Sequence, residues 1–150
     1  MLYRLALTAS MFVSMALSAD FAGTWKLNTT KSKYDGIPMP KEMTVTYSPQ
    51  GAGWRYTGKG AGANGEAINR SFTYAKDGAE IKTTGFAEFD AIVIQNGNTD
   101  KSIATYKRQG KAVGTGTRTV SADGKTMTIT GEVTLPDGKK TTTVSVYDKH

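Results

Sequence analysis

A chain of 150 residues with no cysteine and a single histidine, the C-terminal His150, has room for one domain and few routes to group-transfer chemistry. Ser-His-Asp and Cys-His nucleophilic arrangements are excluded, as are zinc sites of nitrogen and sulfur ligands. The formal charge of +6 is carried largely by lysines in or beside turns (Lys76, Lys111, Lys125, Lys139, Lys140), which keep a surface soluble, and not by a stripe suited to nucleic acid.

The chain opens on Arg4, an apolar run from Leu5 to Leu17 broken only by small hydroxyls, and Ala16-Leu17-Ser18-Ala19. This is the layout of a secretory signal peptide over residues 1–19, expected as a helix and too short to span a bilayer comfortably. Cleavage after Ser18 or Ala19 leaves a mature domain of residues 20–150 with a charge of +5, since Arg4 is lost. The expected compartment is the periplasm or the exterior, with no stable membrane insertion after cleavage. With no disulfide to staple it, such a domain depends on sheet closure and packing.

Strand candidates follow in order: Phe21–Leu27, Lys41–Ser48, Gly53–Gly60, Glu66–Ala75, Ala79–Thr84, Glu88–Gln95, Lys101–Arg108, Lys111–Val120, Thr126–Leu135 and Lys139–Asp148. Between the first two lies a polar connection, Asn28–Pro40, the one place that could hold a helical turn. Polar turns ending in Gly51, Gly65, Gly78, Gly97, Gly110, Gly124 and Gly138 recur at spacings of 14, 13, 19, 13, 14 and 14 residues. Asn-Gly and Asp-Gly supply the positive φ of tight hairpins. Gly85, inside the long interval, is expected as a bulge. In Thr126–Leu135, Met127, Ile129, Gly131, Val133 and Leu135 share one parity and the polar residues the other, which is a strand with one dry face. The 22 threonines suit the wet faces of such strands. The prediction is all-β: an up-and-down antiparallel barrel of 8–10 strands, because an open meander would leave two unprotected edges.

Glu88 and Asp90 share a parity and would project about 7 Å apart, within the roughly 5–9.5 Å that glycosidases use. Phe89, Ala91 and Val93 take the other parity and read as the inward set, which leaves both acids in solvent and the chain without catalytic residues. The glycine-rich run Gly58–Gly65 precedes a strand and no helix, so it reads as a hairpin end and not as a phosphate loop. Arg70 shares parity with Ile68, Phe72 and Tyr74 and should point toward the apolar side. It either snorkels from a barrel rim or awaits an acidic ligand group. Arg118 shares parity with Gly114 and Gly116, which leave space for a packed aromatic or a ligand.

Two stretches carry a resemblance. Phe21-Ala22-Gly23-Thr24-Trp25-Lys26-Leu27 resembles the first strand of the calycin superfamily, with the Gly-x-Trp element of lipocalins and wording close to intracellular fatty-acid-binding proteins. Thr143-Val144-Ser145-Val146-Tyr147-Asp148-Lys149 is similar to the closing strand of the latter. The first stretch with Asn28 and Lys31-Ser32-Lys33-Tyr34 also resembles small exported bacterial lipocalin-like proteins. The resemblance implies a lipocalin-like barrel around a small apolar molecule, often with an acidic head. Tyr147 matches the tyrosine of the fatty-acid Arg-x-Tyr clamp, Ser145 stands where its arginine should be, and Arg118 falls within a residue of a second arginine. The lipocalin pattern instead has such an arginine packing over the tryptophan, here Trp25, making Gly23 and Trp25 structural.

The expected function is an exported, monomeric, non-catalytic barrel binding a small hydrophobic or amphipathic molecule, without cofactor, metal or nucleic acid. Its expected wall is Trp54, Tyr56, Phe72, Tyr74 and Tyr147, with Arg70 and Arg118 as anchors. The alternatives are a filled barrel that binds a protein through its outer face or the Asn28–Pro40 loop, and a cofactor-free barrel enzyme.

Overall fold

The computed structural model describes residues 20–150, so the signal-peptide reading of residues 1–19 lies outside the described residues. Eleven strands follow one another: β1 (Gly23–Leu27), β2 (Lys33–Asp35), β3 (Glu42–Gln50), β4 (Gly53–Ala61), β5 (Ala67–Tyr74), β6 (Glu80–Lys82), β7 (Ala91–Gln95), β8 (Ser102–Arg108), β9 (Lys111–Val120), β10 (Thr126–Thr134) and β11 (Lys140–Lys149). They form one antiparallel sheet in the order β5-β4-β3-β1-β11-β10-β9-β8-β7-β6, with β2 also on β11. Its ends meet through a single bridge, Ser71 with Thr84, made by amide-to-carbonyl bonds of 3.0 and 2.9 Å. The barrel is therefore nearly closed, and its weakest seam lies between β5 and β6. Gly85 flanks that seam at φ +81° and sits against the Asn69 carbonyl, where any Cβ would collide. It belongs to an irregular crossing, not to a bulge in a long strand.

The alternation read in the sequence positions the core. In β3, Met43, Val45 and Tyr47 are buried, and in β10 Met127 and Val133 are. Cross-strand register aligns these residues into inward rows, since directly paired residues share a face. One row is Tyr47–Tyr56–Phe72; another is Ser145–Ile129–Arg118–Ser102; a third is Thr141–Val133–Gly114–Tyr106–Ile92. Threonine pairs lie in outer rows, with Thr117 bonded to Thr130 at 2.6 Å and Thr24 to Thr46 at 3.2 Å.

The Asn28–Pro40 connection holds a strand where a helical turn was allowed. β1 and β2 both pair with β11, β1 at Tyr147–Lys149 and β2 at Thr142–Val144. Asn28 and Ser32 stitch the break between them. The Asn28 amide donates to the Val146 carbonyl at 2.8 Å. The Val146 amide donates to Ser32 Oγ at 2.9 Å, which itself donates to the Asn28 carbonyl at 2.7 Å. A side chain thus takes the ladder position that the interrupted strand vacates.

The inward set at residues 89–95 differs from the expected one. Ile92 and Ile94 face the interior, on the parity opposite to Phe89. Residues 83–90 are not regular strand, so a two-residue period cannot be carried from Phe89 into β7.

Candidate functional site

The barrel encloses a cavity of about 180 Å³. Its wall holds every tyrosine of the described residues (Tyr34, Tyr47, Tyr56, Tyr74, Tyr106 and Tyr147), with Phe72, Phe86 and Phe89. These rings form a connected belt. Tyr56 stacks on Phe72 at 4.6 Å between centroids, Phe86 on Phe89 at 4.6 Å, and Phe89 on Tyr106 at 4.4 Å; Phe72 and Phe86 join the two halves at 6.1 Å. The belt crosses the β5–β6 seam, so ring stacking supplements the one backbone bridge there. Burial raises the phenols of Tyr47, Tyr56, Tyr106 and Tyr147 above the ordinary tyrosine value.

Small residues make this packing fit. A Cβ on Gly116 would run into the Tyr106 hydroxyl, and one on Gly58 would meet Met43 Cε at 2.7 Å and the Tyr56 hydroxyl at 2.9 Å. The space beside Arg118 that the β9 glycines leave is therefore taken by a packed aromatic, Tyr106.

Of the expected wall residues, Tyr56, Phe72, Tyr74, Tyr147, Arg70 and Arg118 border the cavity. Trp54 does not. It packs at the end of the barrel against Phe21, 4.7 Å between centroids, and donates from Nε1 to Asn98 Oδ1 at 2.8 Å. It lies two residues from Tyr56 and directly across from Tyr74, both of which border the cavity.

The two arginines behave differently. Arg118, 5% exposed, lies over the rings of Phe21 and Tyr47, with Cζ 3.8 and 4.8 Å from their centroids. It donates to Tyr74 Oη at 3.1 Å, the Gly97 carbonyl at 3.2 Å and the Thr99 carbonyl at 2.7 Å. It seals one end of the barrel. The cation over Trp25 is instead Lys149, whose Nζ is 4.4 Å from the ring and also reaches the Asp20 and Ala22 carbonyls. Register explains the exchange, because Lys149 pairs directly with Trp25 across β1 and β11 whereas Arg118 lies three strands from β1. Trp25 itself is fully buried and donates from Nε1 to the Phe21 carbonyl at 2.8 Å. The φ of +106° at Gly23, where a Cβ would meet Lys149 Nζ at 3.2 Å, leaves that lysine its path.

Arg70 lies at the other end. Its Nη2 is 4.0 Å from Glu88 Oε1, a separation for charge attraction and too long for a hydrogen bond. Its Cζ is 5.0 Å from the Phe86 centroid. Arg70 Nε and Glu88 Oε2 are both buried with no hydrogen-bond partner, as are Arg118 Nε and Thr83 Oγ1. Glu88 thus turns toward the lumen, against the expectation that placed it in solvent; Asp90 stays outside and accepts from the Gln109 amide at 3.0 Å. The irregular backbone of residues 83–90 gives Phe86, Glu88 and Phe89 all inward positions, which strand parity forbids. Beside this pair, Tyr34 Oη and Ser145 Oγ are bonded at 2.6 Å. Tyr34 comes from β2, a strand with no hydrophobic alternation to announce it, and Tyr106 could have been found from the parity it shares with Ser102 and Ala104. The run Gly58–Gly65 forms the β4–β5 hairpin end, closed by the Gly62 amide on the Glu66 carbonyl at 2.8 Å.

The all-β, nearly closed antiparallel barrel with its aromatic lumen shares its fold with a solved bile acid-binding protein barrel. No protein-family model matches the chain. No curated protein matches it by sequence. Among solved structures, zebrafish ileal bile acid-binding protein in complex with cholic acid is similar, with a TM-score of 0.54 and 14% identity. The superposition covers 88% of this chain and 100% of that one.

Proposed function

We propose that this protein is an exported, non-catalytic, monomeric barrel that binds a small hydrophobic or amphipathic molecule in its lumen. One observation carries the reading: a 180 Å³ cavity walled by aromatic rings, with the loosely paired Arg70 and Glu88 in its lining. A mostly apolar, aromatic-walled cavity with a few polar groups is the usual form of a small-molecule site. The similar barrel that holds cholic acid adds support from fold alone, and the pattern of residues 1–19 supports export. A non-catalytic role fits a wall with neither histidine nor cysteine.

Native mass spectrometry of protein purified from its own host, followed by organic extraction, tests the binding role. A bound small molecule that leaves on Tyr147→Ala or Phe72→Ala is the expected result. Protein that is empty, and that also fails to take up any apolar dye, overturns it. N-terminal sequencing of the exported protein is expected to begin at Ala19 or Asp20.

A further inference from the structure

Along most of the barrel wall neighbouring strands are joined by a continuous ladder, but at the β5–β6 seam the joint is a loop. We propose that residues 83–90 are a lid over the lumen, hinged at their own neck, parting from β5 to admit a guest and latched shut by Arg108. This rests on the reading above that the lumen holds a guest at all.

The neck of the loop is closed by backbone. The Thr83 amide donates to the Asp90 carbonyl at 3.0 Å, and the Asp90 amide donates to the Lys107 carbonyl at 3.0 Å. The loop therefore leaves and re-enters the sheet at one point, and that point is tied to β8 without help from β5. Ends that meet and side chains that pack inward mark a compact loop that moves as one body. Phe86, Glu88 and Phe89 hang from it into the lumen, so moving the loop moves part of the cavity wall.

On the β5 side the loop is held lightly. One backbone bridge joins them, Ser71 with Thr84. Arg70 reaches the loop only by attraction, 4.0 Å from Glu88 Oε1 and with Cζ 5.0 Å from the Phe86 centroid. Phe86 meets Phe72 and Tyr56 across the seam at 6.1 and 6.2 Å between centroids, against 4.6 Å for its stack on Phe89 within the loop. Ring contact is thus tighter inside the loop than across the seam, which makes the seam the natural line of parting. The strong tie is Arg108. Its Nη1 donates to the Glu88 carbonyl at 2.8 Å, and Nη1 and Nη2 both donate to the Thr134 carbonyl at 3.1 Å. A charged donor holds a carbonyl more firmly than a neutral amide does. This one fastens the loop to β10, a strand laddered on both sides. Releasing it together with the Ser71–Thr84 bridge frees the loop while its neck stays shut.

The chain has no cysteine, so a disulfide placed across the seam has no competing thiol. Ser71 and Thr84 exchange both amide-to-carbonyl bonds, and such a pair stands about 5.5 Å apart between Cα atoms, within disulfide reach. The mature Ser71→Cys/Thr84→Cys protein is mixed with 1-anilinonaphthalene-8-sulfonate in a stopped-flow fluorimeter. Dye entry and release are expected to be at least about tenfold slower in the oxidised form than in the reduced one. In Arg108→Met, release is expected to be about fivefold faster than in the native protein. Equal rates in the oxidised and reduced forms overturn the lid and leave the lumen reading intact; no dye uptake by the native protein removes both. Amide hydrogen exchange of the native protein judges the lid without any engineered bond. The Ser71 and Thr84 amides are expected to exchange faster than those of Thr83 and Asp90, because the seam opens and the neck does not. Exchange of all four at one rate overturns the lid.

Discussion

The two ends of the barrel each hold one inward arginine, and they differ in what surrounds it. At the Arg118 end, carbonyls of the 97–99 turn, the Tyr74 hydroxyl and two ring faces take up the guanidinium. At the Arg70 end, the nearest acid stops 4.0 Å short and buried polar atoms stay open on both sides of the gap. A buried cation costs several kcal/mol unless it is paired and bonded. The first end meets most of that cost within the chain, with Arg118 Nε alone left without a partner, and is a plug. The second holds its arginine only by charge attraction, with the Arg70 side chain 26% exposed on the cavity wall.

Raising the pH should erase both ends together and gives the largest effect. Tyr47, Tyr56, Tyr106 and Tyr147 have folded-state pKa values raised above the unfolded value of 10, chiefly by burial. Below pH 10 both states are protonated and stability is untouched; above it the unfolded chain releases protons that the folded one retains. Each such tyrosine then costs about 1.4 kcal/mol per pH unit. Denaturation at graded pH should show a flat plateau up to about pH 10 and a steep fall beyond, with tyrosinate absorbance appearing together with unfolding. Absorbance rising before unfolding would show that the rings are open to solvent.

Next in size, Arg118→Met strips partners from the Tyr74 hydroxyl and the Gly97 and Thr99 carbonyls, and should lower stability by about 3 kcal/mol in urea titrations. A loss under about 1 kcal/mol would remove the plug from the comparison. Gly116→Ala, which drives a methyl into the Tyr106 hydroxyl and to 2.6 Å from the Thr130 carbonyl, should cost about 2 kcal/mol. The smallest stability effect is expected at the other end. Replacing the pair together, Arg70→Met with Glu88→Gln, should change stability by less than about 1 kcal/mol, since the charges compensate one another poorly. The same double variant should weaken any lumen ligand about tenfold. A large stability loss with unchanged binding would reverse the roles assigned to the two arginines.

Much of this contrast was invisible in the chain itself. Arg70 and Arg118 each sit at the right parity in a strand, and parity reports only the face. Strand parity places Glu88 outward with Asp90, and only the irregular backbone of residues 83–90 turns it inward. Trp54 shared the inward pattern of Tyr56 and still fell beyond the rim. Tyr34, in a three-residue strand of polar composition, had no periodic signal at all.

By itself the sequence determined the hairpin rhythm, the inward faces of β3, β9, β10 and β11, and the barrel they must close into. These are local properties, set by backbone periodicity and by residues that tolerate positive φ at turns. Only the tertiary structure decided which cation covers Trp25, which arginine is consumed in packing, and which acid turns inward beside Phe86. Those outcomes depend on register between distant strands and on an irregular crossing at the β5–β6 seam, where no repeating pattern constrains the side chains.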